Sequence, residues 1–141
     1  HGKYLTIDAD WAWEAGDKIR LSFPMEVRQM EAHPRVVENL GRVALMRGPI
    51  LYCLEGVDNP NINLDEVVLS GIPAARFVPN LLGGVAVLQG TASLIPPPPT
   101  TENWLYRARP ALPRQDVTIT AIPYFAWVNR EPAPMRVWLR R

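Results

Sequence analysis

Residues 18–30 read K-I-R-L-S-F-P-M-E-V-R-Q-M, with Ile19, Leu21, Phe23, Met25 and Val27 alternating against Lys18, Arg20, Ser22, Glu26 and Arg28. A period of two is the signature of a strand with one face on a core and one in water, the arrangement of an antiparallel sheet. Pro24 falls on the polar set and has no N–H to donate, so the strand is expected to lie at an edge, to bulge, or to change partners there.

Working outward, Tyr4 to Asp8 reads as a short strand, and W-A-W-E-A-G-D (Trp11 to Asp17) as a turn at Gly16-Asp17. Downstream, Arg42 to Arg47 and Pro49 to Glu55 form two strands about a Gly48-Pro49 corner. The near-continuous apolar run I-L-Y-C-L implies burial on both faces and a central position. Asp58 to Asp65 reads as loop, followed by short strands at Glu66 to Leu69, Arg76 to Val78 and Val85 to Ile95, the last with a turn or bulge at Gly90. Pro96 to Pro99 form a stiff, donor-poor excursion. Strands at Asp116 to Tyr124 and Met135 to Leu139 complete a set of about ten. The expected fold is all-β, an antiparallel β-sandwich of jelly-roll type, built as one domain or two small lobes.

Composition points the same way. The 141 residues include 15 prolines, and an interior proline costs a helix about 3 kcal/mol. With 48% hydrophobic residues and a formal net charge of +1, the chain is neither disordered nor polyelectrolyte. Acidic residues interleave with the arginines, which argues against a nucleic-acid partner. Apolar runs end in a charge or proline short of the ~18 to 20 residues a bilayer-crossing helix needs, which argues against a membrane. The compartment is left open. His1 in the place of an initiating Met suggests a processed or excised chain.

The candidate chemistry is sparse. A nucleophilic triad would rest on His33, because the other histidine is His1. His33 before Pro34 reads better as a turn residue. Cys53 lies among apolar neighbours and reads as a packed small hydrophobe. Glu26, Glu31 and Glu38 are the available carboxylates for a glycosidase pair, with spacing that sequence does not convert to distance. Asn59, Asn61, Asn63 and Asp65 alternate like calcium ligands, but the glycine and closing glutamate of an EF-hand loop are missing, and capped turns explain them as well. The aromatic residues offer core packing or a surface on which sugar rings stack. Trp104, Tyr106 and Trp127 are the candidates for carbohydrate binding.

Two stretches carry a resemblance. Trp13 to Glu55, above all V-A-L-M-R-G-P-I-L-Y-C-L-E (Val43 to Glu55), and Ile122 to Leu139, above all P-Y-F-A-W-V-N-R (Pro123 to Arg130), resemble the C-terminal region of the β-L-arabinofuranosidase-type glycoside hydrolases, family 127. The resemblance implies one accessory β-sandwich over residues 1–141, best matched in 1–55 and 116–141, with 56–115 a more variable insertion. It places the family's catalytic glutamate, nucleophilic cysteine and cysteine-rich zinc site in an upstream (α/α) barrel, so no catalytic residue, metal ligand or cofactor is carried over to this chain, and Cys53 matches a strand cysteine. The expected partners are that upstream catalytic domain, a second copy of the chain, and a glycan. The expected role is non-catalytic. The alternatives are an autonomous carbohydrate-binding module and a small free-standing hydrolase.

Overall fold

β2 (Arg42–Arg47) and β3 (Ile50–Glu55) form an antiparallel hairpin about Gly48, whose φ of 55° lies in the left-handed region that glycine adopts at no steric cost. The computed structural model describes residues 12–96, 105–108 and 111–141. Within them the strands in chain order are β1 (Val27–Met30), β2, β3, β4 (Val67–Leu69), β5 (Ala74–Val78), β6 (Val85–Leu94), β7 (Gln115–Pro123), β8 (Met135–Arg136) and β9 (Leu139–Arg140). The helical elements among the described residues are 3-10 turns of three residues each.

The all-β expectation holds, with a difference in architecture. The strands form one sheet in the order β1-β2-β9-β4-β6-β7-β3-β8, with β5 on β6, and an additional β2–β3 pairing joins the second strand of that order to the seventh. Six strands thus close into a barrel-like ring where two facing sheets were expected. Closure follows from β3, which pairs β7 on one side through Tyr52 to Leu54 and β2 on the other through Ile50 to Tyr52. It removes most of the open edges that a sandwich leaves.

Alternation along β3 sorts its side chains to two clusters. Tyr52 and Leu54 point inward with Leu45, Leu88, Ile119 and Leu139, while Cys53 packs outward with Val85, Val87 and Ile122. The double burial expected for this strand is therefore realised. The Tyr52 hydroxyl donates to the Ala86 carbonyl at 2.9 Å, so its polar end is satisfied inside the core.

Several expectations need correction. The strand expected over residues 18–30 is formed only at Val27–Met30, because β2 ends at Arg47, opposite Val27, and the hairpin turns away. Ile19, Leu21 and Phe23 are 55, 61 and 73% exposed. Gly90 is no bulge. It pairs with Ile119 inside β6, and a Cβ there would meet the Pro73 Cβ at 2.8 Å, so the glycine permits close packing. The final strand is split at Val137-Trp138 into β8 on β3 and β9 on β2. The expected turn at Gly16-Asp17 is present, closed by the Asp17 N–H donating to the Glu14 carbonyl at 3.1 Å. Tyr4 to Asp8, Trp11 and Pro97 to Pro99 lie outside the described residues.

Candidate functional site

The segment leaving β7 builds the most organised surface feature. Tyr124–Ala126 make one 3-10 turn after Pro123, and the Trp127 N–H donates to the Tyr124 carbonyl at 3.1 Å. Ala126 is buried, which forces its larger neighbours outward. Tyr124 and Trp127 stack with ring centroids 5.9 Å apart and 23° between planes, in the range for offset stacking. Phe125 is 69% exposed beside them.

This knuckle is held from beneath by charge. Glu55, fully buried at the end of β3, accepts at Oε2 from Arg130 Nη2 at 2.7 Å and at Oε1 from the Val128 N–H at 3.3 Å. Asp58, in the 3-10 turn that follows, takes the same guanidinium in a two-pronged bond of 2.8 and 2.5 Å. Both carboxylates hold the Arg130 proton more firmly than usual, with the Asp58 hydrogen bond the largest contribution. The bidentate fork suits arginine and not lysine. Val128 pays for this tie with a φ of 62°, an outlier for a β-branched residue. Strain of this kind persists only where surrounding contacts over-determine it.

The candidates of the sequence scatter. Trp127 belongs to the knuckle, stacked on Tyr124; Tyr106 is 94% exposed and is not stacked with it; Trp104 lies outside the described residues. His33 Nδ1 accepts from the Arg35 N–H at 3.2 Å in an exposed turn. Glu31 pairs with Arg141, and Glu26 and Glu38 are exposed. The Asn/Asp alternation serves the fold: Asn59 is buried and bonded to backbone, Asn63 caps the Asp65 N–H, and Asp65 pairs with Arg136 at 2.6 Å. The Arg136 hydrogen bond holds the Asp65 carboxyl below its ordinary range. Burial, followed by the charges of Glu55 and Asp58, pushes the Cys53 thiol up to about 12, which makes it a poor nucleophile. Among the described residues no three His, Cys, Asp or Glu side chains gather as a metal site.

Sequence reasoning passed over Glu55 and Asp58. The signal available was an acid closing an apolar strand, which demands a cationic partner when buried.

Residues 27–140 match the family model described as the glycoside hydrolase family 127 C-terminal domain. A non-reducing end β-L-arabinofuranosidase of Bifidobacterium longum subsp. longum is 36% identical over 133 residues, covering 90% of this chain and 20% of the relative. A crystal structure of a family 127 β-L-arabinofuranosidase from Geobacillus stearothermophilus T6 superposes with a TM-score of 0.70 at 43% identity, over 84% of this chain and 18% of that one. A second family 127 β-arabinofuranosidase structure gives 0.67 at 32% identity, over 82% and 17%. The chain thus spans about a fifth of the length of the curated relative.

Proposed function

The chain belongs to the glycoside hydrolase family 127 C-terminal domain family, and from that membership we propose that it acts as a non-catalytic accessory domain of a larger glycoside hydrolase. Its knuckle of Tyr124, Phe125 and Trp127 docks on the catalytic part of the parent enzyme. The relatives it resembles carry four-fifths of their length outside the matched region, so a partner surface of the same polypeptide is at hand.

The carrying observation is the pairing of an exposed aromatic turn with the buried Glu55–Arg130–Asp58 lock beneath it. A rigid apolar anchor loses little conformational freedom on docking, which is what makes preorganised aromatic residues effective at interfaces. Three carboxylates are held in ion pairs, Glu55 and Asp58 by Arg130 and Glu31 by Arg141.

Phe125→Asp in the full-length parent tests this. The expected result is a lowered thermal midpoint of the catalytic part, with no hydrolysis of an arabinofuranoside chromogen by the 141-residue chain alone. Unchanged melting of the catalytic part, or turnover by the chain alone, would overturn the reading. The second reading, a sugar platform, is favoured by the Tyr124–Trp127 stack, and glycan-array binding that is lost in Trp127→Ala or Trp104→Ala would establish it. A second copy on the knuckle would instead appear as concentration-dependent mass in light scattering.

A further inference from the structure

The strand pattern of residues 18–23 has no partner among the described residues. Its odd positions, Ile19, Leu21 and Phe23, keep the phase of Met25 and Val27, which turn partly inward on the barrel. The last backbone hydrogen bond to the barrel is the Gly48 N–H donating to the Glu26 carbonyl at 3.0 Å, with the Met25 side chain against Gly48, and beyond it the β2–β3 hairpin offers no further backbone. Three large apolar side chains thus stand 55 to 73% exposed in a row, alternating with Lys18, Arg20 and Ser22. Pro24 sits between the unpaired and paired parts, where its missing N–H interrupts no ladder bond.

Similarity marks the same boundary. The C-terminal domain match begins at Val27, where β1 begins. Residues 27–140 are about four-fifths of the chain (114/141), yet the bifidobacterial relative aligns with 90% of it. Only Arg141 lies beyond 140, so the likeness continues upstream of Val27, outside the span that the C-terminal domain model matches.

We propose that residues 18–23 are a strand of the neighbouring unit: they pair edge-on with a β-strand of the polypeptide preceding this chain in the parent enzyme, with Ile19, Leu21 and Phe23 completing that unit's apolar face. The strand changes partners at Pro24, so a single extended segment ties two units together and fixes their spacing. This rests on the reading that the chain is one domain of a longer enzyme, but not on the knuckle. Edge pairing supplies main-chain hydrogen bonds and the alternate side chains supply the register.

Amide hydrogen exchange on the full-length parent tests it. The amides of residues 19–23 are expected to exchange about 100-fold or more slowly than in a free peptide, together with an upstream segment. Leu21→Pro should remove both protections while leaving β6 and β7 protected. Leu21→Asp with Phe23→Asp, which leaves the backbone donors in place, should lower the thermal midpoint of the upstream unit. Free-peptide exchange rates in the parent would overturn the proposal, as would protection that depends on protein concentration, which would assign the partner to a second copy. Phe125→Asp should leave this protection intact, so failure of knuckle docking and failure of strand pairing give different results.

Discussion

Asn59 holds the backbone of Thr120 by both of its hydrogen-bonding groups: its side-chain Nδ2 donates to the Thr120 carbonyl at 2.9 Å and its Oδ1 accepts from the Thr120 N–H at 2.9 Å. The second Nδ2 hydrogen goes to the Glu55 carbonyl at 2.8 Å. One buried amide thus extends β7 past the end of its pairing with β3 and fixes the chain that carries Asp58.

Asn59→Ala leaves these backbone groups without partners in a site too enclosed for easy solvation. The expected cost is about 3 kcal/mol, read as a lower urea midpoint at unchanged m-value. Asn59→Asp keeps the acceptor but sets a charge against two carbonyls, and is expected to be no better than alanine.

Arg130→Met strands the buried Glu55 carboxylate with the Val128 N–H as its remaining bond. A loss of about 3 to 5 kcal/mol is expected. Adding Glu55→Gln should recover most of it, because the neutral amide removes the unpaired charge; a double variant as unstable as the single would show that packing and not charge dominates.

Val128 holds a φ of 62° with its side chain about half exposed. Val128→Gly gives up little burial and is expected to raise stability by about 1 kcal/mol, with a small rise in thermal midpoint. A fall would mean that the Val128 side chain is packed more tightly than its exposure indicates.

The Cys53 thiol is raised from 9.0 to about 12 by burial first and then by Glu55 and Asp58. The folded state therefore binds this proton more tightly than the unfolded one. Its contribution is complete below pH 9 and is lost as pH rises toward 12, at up to about 1.4 kcal/mol per pH unit. Cys53→Ala should flatten this alkaline limb, and a thiol reagent at pH 8 should react with the folded protein far more slowly than with the unfolded one.

Five of the six ring strands, β2, β3, β4, β6 and β7, were legible because their information is local. The β2–β3 hairpin needs only Gly48 between two apolar runs, and the sequence expectation for β2 matches the structure to the residue. Residues 18–30 show the limit of that reading. The alternation runs from Lys18 to Arg28, but a strand exists only where another backbone answers it, and β2 stops at Arg47. The aromatic turn shows the same limit: the sequence displays Trp127 as one aromatic among several, whereas its stacking on Tyr124 and the acidic lock below depend on the fold.

What the amino-acid order determined by itself was the class of local structure, since prolines suppress helix and a two-residue period commits a segment to a sheet whatever it meets. It also carried the family likeness, in residues 43–55 and 123–130. Tertiary structure alone decided that the sheet closes through β2 and β3, that Gly90 makes room for Pro73, and that Glu55, Asp58 and Arg130 meet under the knuckle. The last of these joins residues more than seventy positions apart, and no pattern confined to neighbouring residues encodes a distance across the fold.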